Sequence, residues 1–145
     1  MSSTLPEILI ANVRAKIANS QRVVFVYGNF NIIHPGHLRL LNFARECGDF
    51  LLVAVADDSR PGVFVPQDMR LEGVQAISAV DYAVVIPMPP EVFIASIKPH
   101  IVVKGKEHEA EFNPELSVLE SYGGELIFSS GDFRFSSLDL LQREL

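Results

Sequence analysis

The pattern that most restricts the fold of this chain is the recurrence of short apolar runs, each followed by a segment with helical periodicity. The runs are rich in β-branched residues and are apolar at consecutive positions, which is typical of strands buried on both faces of a parallel sheet. They lie at residues 23–27, 51–56, 82–86, 101–103 and 125–128. Strands that alternate with helices predict an open three-layer α/β fold, because right-handed crossovers place helices on both faces of the sheet.

Six segments around these runs carry the helical pattern. Thr4 with Glu7 is a candidate capping box for the first helix. Gly48 is expected to close the second helix, and Ser136 or Ser137 is the predicted N-cap of the last. The predicted helices cover residues 5–17, 36–46, 67–79, 90–97, 114–122 and 137–144. We therefore predict a Rossmann-like, five-stranded open parallel sheet in the order 3-2-1-4-5 with helices on both faces.

Composition sets the domain count and removes several classes of protein. The 145 residues fit a single domain, with an N-terminal helix in residues 1–20 and a sheet-forming core in 22–145. The formal net charge of −6 argues against general binding to nucleic acid or to a membrane surface. The single cysteine, Cys47, rules out a disulfide framework and a zinc site with several thiolates. The chain shows neither a signal-peptide pattern nor a membrane-length apolar run, so we expect a cytoplasmic protein.

The loop after the first predicted strand carries the clearest candidate site. It reads Gly28-Asn29-Phe30-Asn31-Ile32-Ile33-His34-Pro35-Gly36-His37 and leads into a helix. Gly28 permits a tight turn, and the free N–H groups and positive dipole end of a helix attract phosphate. His34 and His37 can both donate to one anion, and Gly36 leaves room between them. A turn cap and a surface histidine form the alternative interpretation, which the joint placement of both residues after a buried strand disfavours.

Two further strand ends offer cations and hydroxyl groups. Lys104 leaves the fourth strand before Gly105 and can act as a point charge on phosphate, although two solvated lysines in a turn would give the same pattern. The fifth strand is followed by Arg134, Ser136 and Ser137, which form a second candidate anion site at a helix start. Because the first and fourth strands are neighbours where the strand order switches, we expect these side chains and the histidine pair to surround one crevice.

These residues together resemble the cytidylyltransferase-like nucleotidyltransferases, whose HxGH signature matches the segment from His34 to His37. The resemblance covers about residues 22–142 of the chain. Its other matching segments are Asp57-Asp58, Arg70, Val103-Lys104-Gly105, Gly123-Gly124 and Phe135-Ser136-Ser137. Within the family the sequence is most similar to the adenylyltransferase domain of ADP-heptose synthesis and to glycerol-3-phosphate cytidylyltransferase.

The resemblance implies that a phosphomonoester oxygen attacks the α-phosphorus of a nucleoside triphosphate and that pyrophosphate leaves. It implies His34, His37 and Lys104 as catalytic residues, Mg²⁺ bound with the nucleotide, no metal held by the protein itself, and no covalent intermediate. The implied nucleotide and phosphate ligands are Gly28, Asn29, Phe30, Gly36, Arg70, Arg134, Ser136 and Ser137. The second substrate would be a phosphorylated small molecule such as a sugar phosphate, and ATP is slightly preferred over CTP. A homodimer and fusion to a kinase domain in a longer protein are compatible with the resemblance.

Departures from the family pattern leave an alternative function open. Asn31 stands where the family usually has Asp, and Asn29 where it has Ser, Thr or Cys. The segment 57–66 is shortened and offers Arg60 where a lysine is common. The alternative is a catalytically weak nucleotide-binding or regulatory domain of the same fold. A dehydrogenase-type Rossmann domain is excluded because Gly28 begins no Gly-x-Gly-x-x-Gly loop.

Overall fold

The computed structural model describes residues 4–129, and its centre is one parallel β-sheet. The strands are β1 Val23–Gly28, β2 Phe50–Ala56, β3 Tyr82–Ile86, β4 Ile101–Gly105 and β5 Glu125–Ser129. They pair in the order β3-β2-β1-β4-β5, and every neighbouring pair is parallel. The predicted fold class and strand order are confirmed. The strand order switches direction between β1 and β4, where open α/β sheets form a crevice at their carboxyl edge.

Five α-helices lie in this range, of which the first precedes β1 and the other four connect the strands. They are α1 Leu5–Ala15, α2 Pro35–Glu46, α3 Gln67–Gln75, α4 Pro90–Ile97 and α5 Glu115–Tyr122. A 3₁₀ turn at Lys106–His108 follows β4. Thr4 caps α1, because its hydroxyl accepts a hydrogen bond from the Glu7 N–H (3.2 Å), which is one of the two hydrogen bonds of the predicted capping box. None of the helices between residues 4 and 129 has the length and apolar character needed to cross a bilayer. The predicted helix at 137–144 lies outside the described residues.

Two predicted helices end earlier than their apolar patterns suggested. α1 ends at Ala15 and α3 ends at Gln75. The apolar residues beyond these ends still contact the core: Ile17 packs on one face of the sheet, and Ile77 and Ala79 pack on the other. Residues in the turns after these helices also bury their side chains. The apolar pattern therefore extends beyond each helix and does not mark where the helix ends.

Two hydrophobic layers enclose the sheet. β1 directs Val24 and Val26 toward α2 and α3, where they pack with Leu41, and directs Phe25 toward α1, α4 and α5, where it packs with Phe93. The ring centroids of Phe25 and Phe93 are 5.3 Å apart. β2 is buried along its whole length, as the continuous apolar run predicted. These layers hold the strands rigidly, so the loops at the carboxyl edge start from well-defined positions.

Gly48 serves the fold differently from the prediction. α2 ends at the C-cap residue Cys47 in a right-handed helical conformation, and Gly48 does not adopt a positive φ. A Cβ atom on Gly48 would lie 2.6 Å from the carbonyl oxygen of Arg22 and 2.7 Å from Cγ2 of Val24. The Asp49 N–H donates to the same Arg22 carbonyl (2.8 Å). Glycine is needed here because the turn before β2 approaches the backbone at the start of β1.

Candidate active site

The histidine pair lies in the first turn of α2, at the carboxyl edge of β1. His34 is the N-cap residue, and its Nδ1 accepts a hydrogen bond from the Gly36 N–H (3.0 Å). Nδ1 of His37 accepts from the His34 N–H (3.2 Å), and the two ring centroids are 4.0 Å apart. Since each Nδ1 accepts a hydrogen bond, each neutral ring carries its hydrogen on Nε2. Each ring therefore keeps an Nε2–H donor for a ligand.

Both imidazoles are neutral near pH 7. Burial lowers the pKa of His34 below its usual value. The pKa of His37 is lowered to about 4, first by burial and then by the neighbouring His34, while Glu107 acts weakly in the opposite direction. A neutral imidazole still donates its Nε2–H to a phosphate oxygen. The pair therefore offers two directed hydrogen bonds rather than two fixed positive charges.

The backbone amides at the start of α2 are not free, which corrects one element of the prediction. Pro35 has no N–H, the Gly36 N–H is bonded to Nδ1 of His34, and the His37 N–H is bonded to the His34 carbonyl oxygen (2.9 Å). The positive end of the helix dipole still faces this site. The imidazoles consequently replace the amides as donors. His34 caps the helix through Nδ1 and remains available to an anion through Nε2.

Phe30 and Gly28 determine where His37 sits. The Phe30 side chain is buried, and its ring centroid lies 5.4 Å from that of His37. Phe30 has a φ of 54°, which is a strained, left-handed conformation for a side chain of this size. A Cβ atom on Gly28 would lie 3.1 Å from the Phe30 ring. Nucleotide binding by these two residues stays a prediction; in the structure Phe30 packs against His37, and Gly28 leaves room for the Phe30 ring.

Asn31 ties the shortened 57–66 loop to the loop that carries the histidines. Its Nδ2 donates to the carbonyl oxygen of Gly62 (2.8 Å), and its Oδ1 accepts from the N–H groups of Phe64 (3.0 Å) and Val65 (3.1 Å). An aspartate could accept the same two hydrogen bonds but has no hydrogen to donate to Gly62. The amide at position 31 therefore makes one more hydrogen bond to the 57–66 loop than an aspartate could make.

Asn29 joins the same two loops, and Arg60 lies in the shortened one. Nδ2 of Asn29 donates to the carbonyl oxygen of Pro61 (3.3 Å). Nε of Arg60 is buried and has no hydrogen-bond partner among residues 4–129. Because a buried donor without a partner is costly, Arg60 is a further candidate for contact with an anionic ligand.

Arg70 is placed differently from the prediction, which assigned it to the triphosphate. Its side chain is fully buried. The guanidinium donates to the carbonyl oxygens of Val65 (2.6 Å), Asn29 (2.7 Å) and Ala56 (2.6 Å), and to Oδ1 of Asp58 (3.1 Å). Four of its five N–H donors are therefore occupied by protein. Arg70 joins the ends of β1 and β2 to α3, and so it positions both loops rather than facing a ligand.

Lys104 lies in the wall of a cavity of about 410 Å³ at the carboxyl ends of β1 and β4. Gly28 and Asn29 line the same cavity. Nζ of Lys104 donates to Oδ1 of Asn113 (2.6 Å) and to Oε2 of Glu115 (3.0 Å). Sequence reasoning did not find Asn113 or Glu115. They belong to no motif, and the only available signal was an acidic residue in the first turn of a helix.

The structure brings most of the predicted site residues to one edge of the sheet. Gly28, Asn29 and Lys104 share the cavity, and the loop that begins at Gly28 leads directly to Gly36 and the histidine pair. Arg70 is buried behind the loops that follow β1 and β2 and is bonded to their backbone. The remaining predicted residues lie outside the described part of the chain: Arg134, Ser136 and Ser137.

The fold and site define a class of protein: a Rossmann-like α/β domain with a pair of imidazoles at the strand switch. The chain belongs to the cytidylyltransferase-like family, whose model matches residues 25–124. It is 30% identical over 149 aligned positions to the bifunctional protein HldE of Pelobacter propionicus, covering 96% of this chain. It is 37% identical over 128 positions to HldE of Alcanivorax borkumensis, covering 83% of this chain. The chain spans only 30% and 27% of these relatives, respectively.

Solved structures show the same architecture. A lipopolysaccharide core biosynthesis protein from Thermoplasma volcanium aligns with a TM-score of 0.64 and 26% identity, covering 78% of this chain and 100% of that one. Pantothenate synthetase from Thermus thermophilus aligns with a TM-score of 0.59 over 90% of this chain and 65% of that one. The latter likeness, at 15% identity, concerns the fold alone.

Proposed function

We propose that this chain transfers AMP or CMP from a nucleoside triphosphate to a phosphomonoester, with release of pyrophosphate. The observation that carries the proposal is the orientation of His34 and His37. Both rings bind backbone amides through Nδ1, which leaves two Nε2–H donors at the strand switch. Membership in the cytidylyltransferase-like family supports nucleotidyl transfer as the general class of reaction.

The proposed mechanism relies on positioning and charge stabilisation. An oxygen of the acceptor phosphate attacks the α-phosphorus, the bond from that phosphorus to the bridging oxygen breaks, and pyrophosphate leaves with the electron pair. Charge on the phosphoryl oxygens requires donors that are already oriented. The Nε2–H groups of His34 and His37 would donate to these oxygens, and the third N–H of Lys104 would contact the acceptor. No protein nucleophile is needed.

Mg²⁺ is proposed to enter with the nucleotide, held mainly by the oxygens of the triphosphate. When bound, the ion supplies neutralisation of charge on the phosphate chain. Among residues 4–129, no group of three or more His, Cys, Asp and Glu side chains is arranged to hold a metal ion. The residues of this chain would bind and orient the nucleotide by the hydrogen bonds described above.

Substrates and context are proposed from the relatives. We propose ATP ahead of CTP as the donor and a sugar phosphate as the acceptor, because the sequence is similar to the HldE proteins. These relatives are named bifunctional, and this chain spans less than a third of them. A second, kinase-type domain fused to this one is proposed on that ground. A cytoplasmic location and a homodimer are also proposals.

The proposal is tested by pyrophosphate release in a screen of ATP and CTP against sugar and polyol phosphates. His37→Asn is the informative variant, because its amide oxygen can replace Nδ1 as acceptor for the His34 N–H while the outward donor is removed. We expect pyrophosphate release to fall by about 10²–10³-fold, with little change in thermal stability. His100→Gln is the matched control: His100 accepts from the Val23 N–H at the amino edge of the sheet, far from the site along β1.

The outcomes separate the two candidate functions. Equal loss of activity in both histidine variants would indicate a structural effect and contradict the proposed role of His37. Nucleotide binding in calorimetry without pyrophosphate release for any acceptor would overturn the transferase proposal. That result would favour the alternative, a catalytically weak nucleotide-binding or regulatory domain, which was suggested by Asn31 in place of aspartate.

A further inference from the structure

The cavity beside Lys104 has a wall of two unlike parts. Most of the lining is apolar and comes from both the sheet and α4, including Phe25, Ile94 and Val102. The two side chains of fixed opposite charge, Lys104 and Glu115, are ion-paired at 3.0 Å. A pocket with an apolar body and a few oriented polar groups is typical of small-molecule sites.

The polar part of this wall is rigidly built. The Glu115 side chain is only 8% exposed, and its Oε2 accepts from Nζ of Lys104. Oδ1 of Asn113 accepts from the same Nζ, and Nδ2 of Asn113 donates to the carbonyl oxygens of His108 and Glu111 (both 3.0 Å). The amide orientation of Asn113 is therefore determined. Lys104, Asn113 and Glu115 hold one another in place by these hydrogen bonds. The donors and acceptors of this wall therefore have defined positions.

Two hydrogen-bonding groups remain at this wall. Lys104 has three N–H donors and uses two of them. Glu115 uses Oε2, and no residue in the described range donates a hydrogen bond to its Oε1. One unused donor thus lies next to one unused acceptor. A hydroxyl group satisfies both, because it can accept from Nζ and donate to Oε1.

We propose that Glu115 is a specificity-determining residue which, paired with Lys104, selects an acceptor that carries hydroxyl groups next to its phosphate. This inference rests on the proposed function. The pair is neutral overall, so an acceptor that carries an ammonium group would place a second cation next to Lys104. An acceptor without hydroxyl groups would displace water from Oε1 without giving it a donor, which is the usual basis for strong rejection of such analogues.

The test compares binding of three phosphomonoesters to the full chain in the presence of a non-hydrolysable ATP analogue. The probes are glycerol 3-phosphate, propyl phosphate and phosphocholine. For the unchanged protein, calorimetry should give at least about tenfold tighter binding of glycerol 3-phosphate than of either other probe. In Glu115→Met, whose side chain offers a hydroxyl group no oxygen acceptor or N–H donor, the preference over propyl phosphate should fall below about threefold. Glu120→Met, on the exposed side of the same helix, is the matched control and should keep the preference.

A second variant keeps the test valid if the single substitution at Glu115 prevents folding. Lys104→Met with Glu115→Met removes both charges together and so leaves no unpaired charge in the cavity. It should fold, bind the nucleotide analogue and lose the preference for glycerol 3-phosphate. The inference is overturned if this preference is absent in the unchanged protein or survives both changes at Glu115, or if none of the three probes binds. Binding of the three phosphomonoesters is also measured without the nucleotide analogue. Failure of the protein to bind the analogue would therefore count against the proposed function and not against the role of Glu115.

Discussion

Replacement of Arg70 by methionine distinguishes a residue that positions loops from one that binds phosphate. The Arg70 guanidinium is fully buried and donates to three backbone carbonyl oxygens and to Asp58. Methionine fills much of the same volume but donates nothing. The carbonyl groups of Asn29, Ala56 and Val65 would then lose their guanidinium partner within the protein.

The expected loss can be worked from these contacts. A buried polar group without a partner costs about 1–3 kcal/mol, and three carbonyl groups lose the guanidinium as a partner. Water entry at the loop surface relieves part of the sum over three carbonyl groups. We therefore expect Arg70→Met to lower the free energy of unfolding by about 3–5 kcal/mol, a large part of the usual 5–15 kcal/mol of a domain.

Urea denaturation without nucleotide measures this loss directly. Arg22→Met is the matched control, because Arg22 is half-exposed and its ion pair with Glu125 is long, at 3.9 Å. Such a surface pair contributes at most about 1 kcal/mol. A positioning role for Arg70 is contradicted if Arg70→Met loses less than about 1 kcal/mol of stability while the affinity of the protein for ATP falls. That outcome would return Arg70 to the phosphate-binding role predicted from sequence.

Three further predictions concern the loops and the turn before β2. Asn31→Asp should lower the free energy of unfolding by about 1–2 kcal/mol, because the carboxylate cannot donate to Gly62; unchanged urea denaturation at pH 7 would contradict this. In NMR titration of the free protein, His37 should titrate at a pKa of about 4. Since the unfolded histidine binds a proton near pH 6.5, His37 should reduce stability as the pH falls from about 6.5 toward 4, and His37→Asn should flatten that part of the profile. Gly48→Ala should cost about 1–3 kcal/mol by pressing a methyl group on the Arg22 carbonyl, and an unchanged thermal midpoint would refute the close approach.

Local patterns were sufficient for most of the architecture. Runs such as 51–56 are apolar at every position, and a chain segment of that kind reaches low energy only between two covering layers. The strand order was predicted as the common order of open α/β sheets with right-handed crossovers. The position of His34 and His37 at a strand end also followed from the sequence, because both the strand and the helix that enclose their loop are recognisable from short-range periodicity.

The roles of individual polar side chains depended on contacts that short-range patterns do not contain. Arg70 reads in the sequence as a cation near other predicted phosphate ligands, but its partner Asn29 is 41 positions away. Lys104 reads as a free cation at a strand end, and its pairing with Glu115 depends on how the turn after β4 leads back to α5.

The sequence by itself determined the elements, the layers and the edge of the sheet at which the candidate site lies, because these follow from periodic burial of apolar side chains. Only the tertiary structure decided which nitrogen of His34 and His37 remains available, and which cations are already neutralised. Hydrogen bonds are short and directional, so their partners are settled only when the loops have been brought within about 3 Å of one another.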